Sequence, residues 1–278
     1  MTPASVLTTT QPPRHQRASG AVRLRVREDA GAQRLQGLYQ SGSAQIRFPA
    51  KRPADAVEAV LINTAGGLCG GDRFSWGVEV GPDARCQVIT QACEKIYRAE
   101  GEAAEVEVTL DVGPGARLDW TPQETILFDR ARLSRRLEAD LAADARLLIV
   151  EAVILGRAAM GETVTRGLLR DRWRVRREGR LVFAEELRID GAFEPPLGSP
   201  SALDGAGAFA TIVLLGDDAE DLAAPLRRAI GERGGVSAFD SRLICRVLAA
   251  DGAALRRALL PAMTVLCGDR PPPRVWVN

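Results

Sequence analysis

Between Ala21 and Arg188 the chain is a long series of short segments in which apolar and polar residues alternate. In AVRLRVRE, for example, Val22, Leu24 and Val26 would face one side of a strand and the intervening arginines the other. Turn sequences such as EDAG, GPDA, VGPGA and REGR separate these segments at short intervals. The pattern predicts a body of many short strands, either an antiparallel sandwich or a helically coiled stack of sheets.

The pattern changes near residue 210. GDDAEDLAAPLRRAIGERGG starts with acidic residues and ends with Arg and Gly, which are helix start and stop signals, and GAALRRALLPAMTVLCG predicts a second helix. We therefore predict a mainly β fold, a large stacked or coiled β-sheet body with two C-terminal helices. Because no Pro- or Ser-rich linker interrupts it, we expect one domain over 21–278, β-rich to about 210, after a disordered leader at 1–20.

Composition disfavours several classes of protein. The net charge is +1, and only Lys51 and Lys95 among the 37 basic residues are lysine, which indicates compositional bias rather than a nucleic-acid surface. No segment resembles a signal peptide or a membrane span, so we expect a cytoplasmic protein without nucleic-acid or membrane partners. The odd number of scattered cysteines, at positions 69, 86, 93, 245 and 267, favours reduced thiols over disulfides.

The sequence lacks the parts of common catalytic sites. Its single histidine, His15, lies in the leader, so a Ser-His-Asp triad or a His-based zinc site has no imidazole, and a β-sandwich hydrolase is a weak alternative. The loop in LINTAGGLCGGDRFSWGVEV lacks the Gly-Lys-Ser/Thr ending of a phosphate loop. We therefore interpret it as a tight turn between strands rather than a catalytic loop.

Two other segments concentrate polar residues. TQACEKIYRAEG, at 90–101, places Gln91, Glu94, Lys95, Tyr97 and Arg98 at a strand end, where they are either solvated or functional.

A second concentration lies in RGLLRDRWRVRRE, where every other residue from position 170 to position 176 is an arginine. These are Arg170, Arg172, Arg174 and Arg176, which would share one face of a strand. They predict either a charged edge strand or a surface for an acidic protein partner.

Two long motifs carry a family resemblance. NTAGGLCGGD at 63–72 and TQACEKIYRAEG at 90–101 resemble the paired signature of the urease accessory protein D family, also called UreD or UreH. The resemblance continues in order through PQETILFDRARL, LLIVEAVILGRAAMGE and PPRVWVN, from about residue 20 to the C-terminus. Cys69 and Cys93 depart from the residues expected there, so the resemblance implies no role for a thiol.

The resemblance implies a non-catalytic factor that binds apo-urease with accessory proteins F and G and assists nickel insertion. A pure assembly scaffold without metal contact is the alternative. It also implies an unusual β-rich fold and no tightly bound cofactor, at most a transient Ni²⁺. The motif positions expected to be structural are Asn63, Gly66, Gly67, Gly70, Gly71, Gln91, Lys95 and Tyr97. The candidate carboxylates of a nickel path are Asp72, Glu94, Glu124 and Glu162, and Glu151 is a further acid that could serve either role.

Overall fold

A computed structural model describes residues 16–49, 55–194, 196–268 and 270–277. Most of the predicted leader, residues 1–15, lies outside these ranges together with Lys51, and the assignment of 21–278 to one domain stays a prediction. The strands are β1 Ser19–Asp29, β2 Ala32–Gly42, β3 Ala44–Arg47, β4 Val57–Asn63, β5 Arg73–Val80, β6 Arg85–Thr90, β7 Glu94–Ile96, β8 Ala104–Val112, β9 Arg117–Trp120, β10 Thr125–Leu127, β11 Arg132–Leu141, β12 Arg146–Leu155, β13 Arg166–Arg177, β14 Arg180–Ala192, β15 Ala208–Leu215, β16 Gly234–Phe239 and β17 Arg242–Ala249. The helices are α1 Ala219–Ile230, α2 Gly252–Cys267 and the short α3 Arg274–Val277.

The strands form two sheets between which the chain passes back and forth. The first sheet has the order β14-β13-β11-β8-β5-β1-β2, and the second has the main order β16-β17-β15-β12-β9-β6-β4-β3. From β4 to β13 successive long strands alternate between the sheets, so the chain winds as a β-solenoid of about four turns. The predicted mainly β, coiled stack is confirmed.

The antiparallel alternative is wrong for the centre of the molecule. The strands β5, β8, β11 and β13 pair in parallel, and so do β4, β6, β9 and β12. Antiparallel pairs occur towards the ends of the sheets, as in β1 with β2 and β13 with β14. A coil that always turns in the same direction brings equivalent strands back in the same orientation, which is why the stacked pairs are parallel.

Apolar residues fill two layers. The inner faces of both sheets form the main core, with Leu24, Leu110, Leu137 and Trp173 fully buried. A second layer lies between the outer face of the second sheet and the helices α1 and α2. Strand β12 is buried on both faces, which explains its continuous apolar run LLIV. No helix in the described ranges is long and apolar enough to cross a membrane.

The arginine-rich strand is not at an edge. β13 lies between β11 and β14, and β14 forms the edge of the sheet. The edge-strand interpretation of Arg170, Arg172, Arg174 and Arg176 is therefore wrong, since both sides of β13 are hydrogen-bonded to neighbours.

Candidate functional site

The motif segments converge on one corner of the solenoid, where the chain crosses from the second sheet to the first. We call this region the signature corner; it comprises residues 63–72, 90–101, 122–133 and 156–162. Backbone hydrogen bonds join neighbouring segments: Leu68 N donates to Lys95 O, Phe128 N to Ile96 O and Gly156 N to Leu127 O. Segments far apart in sequence stack here because each is the equivalent turn of a successive coil.

The glycine-rich loop is a turn that hydrogen bonds to Asp72 stabilise. The buried Asp72 carboxylate accepts hydrogen bonds from the backbone N–H groups of Cys69, at 2.7 Å, and Ala18, at 2.8 Å. Gly67 has a φ of +147°, and a Cβ there would lie 2.4 Å from the Tyr97 ring. A Cβ on Gly70 would lie 2.4 Å from the carbonyl oxygen of Glu102. The glycines thus permit the backbone conformation and close packing that the turn requires.

Gly66 and Gly71 of the same loop also have positive φ angles, which glycine adopts without strain. The Tyr97 hydroxyl donates to the Gly66 carbonyl oxygen at 3.1 Å, and its ring meets Phe128 edge-on at 5.1 Å between centroids. Tyr97 therefore braces the turn from the neighbouring coil.

Asn63 links this turn to Glu94. The Asn63 amide donates to Gly67 O at 3.2 Å and to the Glu94 carboxylate at 3.1 Å, while its oxygen accepts from Ala65 N at 2.9 Å. Burial raises the pKa of Glu94 to about 7, although the hydrogen bond from Asn63 acts in the opposite direction. A carboxylate with this pKa exchanges its proton near neutral pH.

Glu94 borders a cavity of about 340 Å³ between the two sheets. Asn63, Gln91, Cys93 and Lys95 also border it near the signature corner, and Arg135 and Glu151 line its inner side together with Trp120. A second cavity of about 310 Å³ is lined by the same Arg135 and Glu151, and by Asp171, Thr211 and Arg246. The two cavities therefore share a charged wall in the middle of the solenoid.

That wall is a buried ion cluster of one guanidinium and two carboxylates. Arg135 donates through Nε to Asp171 at 3.0 Å, and its terminal nitrogens bond to Asp171 and Glu151. Trp120 Nε1 donates to Glu151 at 2.8 Å, and Trp173 Nε1 donates to Asp171 at 2.7 Å. Burial raises the pKa of Glu151, the nearby Asp171 raises it further, and Arg135 opposes both effects. The cluster has one carboxylate more than its guanidinium can neutralise.

Arg135 and Asp171 were not among the residues predicted from the sequence. Both occupy core-facing positions of otherwise regular alternation, Arg135 between Leu133 and Leu137 and Asp171 between Leu169 and Trp173. A charged residue at a core-facing strand position is a signal of a buried polar network, and it was available in the sequence.

The structure does not bring the four candidate carboxylates together. Asp72 stabilises the glycine-rich turn by accepting backbone hydrogen bonds. Glu124 accepts hydrogen bonds of 3.1 and 2.9 Å from Arg256 on α2. Burial alone would raise the pKa of Glu124, but the bonds from Arg256 and the backbone lower it overall. Glu162 accepts from Arg157 Nε at 2.8 Å and from Asp129 N at 3.3 Å, which closes the turn at Ala158–Met160. Glu94 alone among the four borders the first cavity.

Within the part of the chain that the structure describes, no group of three His, Cys, Asp or Glu side chains is placed to hold a metal ion. The thiols do not change this, because Cys86, Cys245 and Cys267 are buried and burial raises their pKa values. Cys93 lies 3.3 Å from Glu124, and burial, followed by that carboxylate, raises its pKa to about 11.

Comparison with known proteins agrees with the signature. Residues 18–277 match the family model described as UreD urease accessory protein. The chain is 50% identical over 264 residues to the urease accessory protein UreD of Rhizobium rhizogenes, covering 95% of this chain and 96% of the relative. It is also 50% identical over 272 residues to that of Rhizobium etli, covering 98% of both, and 48% identical over 269 residues to that of Mesorhizobium japonicum, covering 95% and 96%. The family resemblance is confirmed: the chain belongs to the UreD family of urease accessory proteins, which are maturation factors and not catalysts.

Proposed function

We propose that this urease maturation factor binds apo-urease together with accessory proteins F and G and assists the insertion of nickel into the urease active site. The family match over residues 18–277 supports a role in urease maturation. The partners and the nickel cargo go beyond what that match shows.

The observation that carries the proposal is the pair of cavities between the sheets. Glu94 borders one cavity, and the Arg135, Glu151 and Asp171 cluster borders both. A nickel dication in transit would need oxygen ligands to replace part of its hydration shell, but a set of several imidazoles or thiolates would hold it too tightly for release. Sparse carboxylates along a hollow interior suit a cargo that must leave again.

The charged residues that border the two cavities would have distinct roles. Arg135 neutralises part of the carboxylate charge and keeps both acids in fixed positions through its hydrogen bonds. When Glu151 is ionised, the cluster carries one negative charge in excess, which favours a cation in the adjoining space. Glu94, whose pKa is about 7, would exchange a proton for the ion at near-neutral pH.

The test uses cells that make urease and accessory proteins F and G but depend on a plasmid for this chain. We expect Glu94→Gln to lower urease activity and the nickel content of the recovered urease several-fold, while the variant still co-purifies with urease. Glu100→Gln is the matched control, because Glu100 is an exposed acid of the same corner that pairs with Arg98. Nickel content is measured by atomic absorption on the purified enzyme.

A pure assembly scaffold remains the second candidate, and one observation favours it. Asp72, Glu124 and Glu162 are each held by hydrogen bonds within the chain, as turn and helix anchors would be. If Glu94→Gln leaves nickel content unchanged while complexes form, the scaffold is the better description. If the variant loses activation and complex formation together, Glu94 is structural.

A further inference from the structure

Two side chains separate the interior cavities from each other. Among the residues that the structure describes, Arg135 and Glu151 alone line both the cavity of about 340 Å³ and the cavity of about 310 Å³. Both spaces are many times larger than the volume of about 30 Å³ that a water molecule occupies in the liquid. Separation of Arg135 from Glu151 would therefore join the cavities into one passage along the solenoid.

Within the buried ion cluster, the contact between Arg135 and Glu151 is the one that crosses from sheet to sheet. Arg135 on β11 lies beside Asp171 on β13 in the register of the first sheet, whereas Glu151 lies on β12 of the second sheet. Trp120 on β9 donates to Glu151 within the second sheet. Trp173 on β13 donates to Asp171 within the first sheet. Each carboxylate therefore keeps a hydrogen bond on its own side of the interior when Arg135 and Glu151 separate.

Arg135 is bound more firmly to its own sheet than to the opposite one. Its Nε and one terminal nitrogen donate to the two oxygens of Asp171 as a bidentate pair, whereas Glu151 accepts from the other terminal nitrogen alone. The single bond to Glu151 is therefore the one that breaks when the guanidinium moves. Arg135 then stays neutralised by Asp171, but Glu151 becomes a buried carboxylate without a counter-ion, which is unfavourable. The contact stays closed unless another cation takes the place of the guanidinium.

We propose that the contact between Arg135 and Glu151 is a gate, which a divalent cation opens by binding Glu151 in place of the guanidinium. This inference rests on the proposed function, which supplies nickel as the cargo. The cation displaces the guanidinium towards Asp171 and passes into the second cavity, and the contact re-forms behind it. Because the charge of Glu151 is balanced at every stage, the passage opens only while an ion occupies it.

The second cavity offers oxygen ligands beyond the gate. Asp171 and Glu185 both border it, and Glu185 pairs with Arg246. Arg246 borders the same cavity and keeps 50% of its side chain exposed, so this part of the interior reaches the surface. With Glu94 on the first cavity, carboxylates lie on both sides of the gate.

The experiment uses tryptophans to report where the ion is, because Trp120 borders the first cavity and Trp173 borders the second. The full chain is labelled with fluorotryptophan, and its four fluorine resonances are assigned by replacing each tryptophan in turn with phenylalanine. Paramagnetic Ni²⁺ broadens the resonance of a nearby indole, and diamagnetic Mg²⁺ is the ion control. We expect Ni²⁺ to broaden the resonances of both Trp120 and Trp173 in the wild type.

Two variants change the gate in opposite directions. In Glu151→Gln the side chain keeps an oxygen for Arg135 and Trp120 but has no charge to hold a cation, so Ni²⁺ should still broaden Trp120 and no longer broaden Trp173. In Arg135→Lys the ammonium keeps the charge but lacks the fork that joins both acids, so Trp173 should broaden at a several-fold lower Ni²⁺ concentration. Glu186→Gln is the matched control, because Glu186 lies on β14 with 39% of its side chain exposed and borders neither cavity.

The gate would be overturned by equal broadening of Trp173 in the wild type and in Glu151→Gln. A wild type in which Ni²⁺ reaches Trp120 but never Trp173 would overturn it as well. If circular dichroism shows that Glu151→Gln is unfolded, Arg135→Lys decides, and unchanged or weaker broadening of Trp173 would reject the gate. Ni²⁺ that broadens neither resonance in the wild type would instead contradict the interior nickel route of the proposed function, since failure of the gate alone leaves the broadening of Trp120 in place.

Discussion

Glu94 shows how a single side chain can have both a structural and a chemical consequence. It is half-buried, it accepts hydrogen bonds from Asn63, and it borders the interior cavity. Burial raises its pKa from the ordinary 4.5 to about 7. The folded protein therefore holds a proton on Glu94 over a pH range in which the unfolded chain has lost it.

This difference predicts a pH-dependent stability. Between pH 4.5 and 7 the folded state binds more protons than the unfolded state. The free energy of unfolding therefore falls as the pH rises through that window, and the full loss of stability is present above pH 7. Glu94→Gln should remove the cost, so the variant should match the wild type near pH 4 and exceed it at pH 8 by at most about 3 kcal/mol. Urea unfolding across this pH range measures the effect.

Glu100→Gln provides the control for this comparison, because Glu100 is exposed at the same corner. We expect its effect on stability to stay within about 0.5 kcal/mol at every pH. A Glu94→Gln protein whose stability relative to wild type does not change with pH would contradict the raised pKa.

At the scale of elements, an ion pair connects helix α2 to the signature corner. Arg256 donates to the carboxylate of Glu124, which is only 2% exposed, and to the side chain of Gln123 at 2.8 Å. The guanidinium also lies over the Trp276 ring of α3, with 5.3 Å to the ring centroid. One side chain therefore joins two C-terminal helices to the segment between β9 and β10.

Arg256→Ala should destabilise the protein strongly at neutral pH. Without the guanidinium, Glu124 is a buried carboxylate with no cation partner. Removing one partner of a buried ion pair lowers the free energy of unfolding by about 3–5 kcal/mol. In the wild type the depressed pKa of Glu124 adds stability above the unfolded pKa, which is lost as the pH falls through the folded value. The difference between variant and wild type should therefore shrink below about pH 4.

The neighbouring Arg257 offers a matched comparison, since it lies exposed on the same helix without an ion pair in the described ranges. In thermal unfolding at pH 7, the melting temperature of Arg256→Ala should lie well below that of the wild type, and that of Arg257→Ala should be almost unchanged. Equal melting temperatures for the two variants would show that the link contributes nothing to stability.

At the scale of the whole molecule, the solenoid leaves an open end at β2. This strand terminates the first sheet, and its side chains Leu35, Leu38 and Tyr39 are 40, 38 and 55% exposed. Stacked repeats need a polar terminal layer to stay soluble, and an unpaired apolar edge invites pairing with other chains. We therefore expect the isolated protein to associate as its concentration rises.

A charge on this edge should reduce that association. Leu38→Lys places an ammonium where another strand would pair, so the apparent mass at high concentration should fall towards that of the monomer. Met160→Lys is the comparison, because Met160 is 74% exposed but belongs to the signature corner. Light scattering after size-exclusion chromatography measures both. If Met160→Lys disperses the protein equally well, or if the wild type is monodisperse throughout, the open edge of β2 is not the cause.

Much of the element order was predictable from the sequence, because each strand shows the alternation of apolar and polar residues within its own segment. Val22, Leu24 and Val26 are buried as their spacing predicted. The buried ion cluster was not predicted, because its members Arg135, Glu151 and Asp171 belong to three strands and to both sheets. No local pattern shows that such residues will meet.

The sequence by itself determined that the chain is a succession of half-buried strands followed by helices, and its motifs determined the family. The tertiary structure decided that the stacked strands run parallel and that β13 lies inside its sheet. It also decided that Glu94 borders the cavity while Glu124 is bound to Arg256. The physical reason is the range of the interactions involved: alternation reports that one face of a strand is buried, whereas strand direction and side-chain partners depend on contacts between residues far apart in the chain.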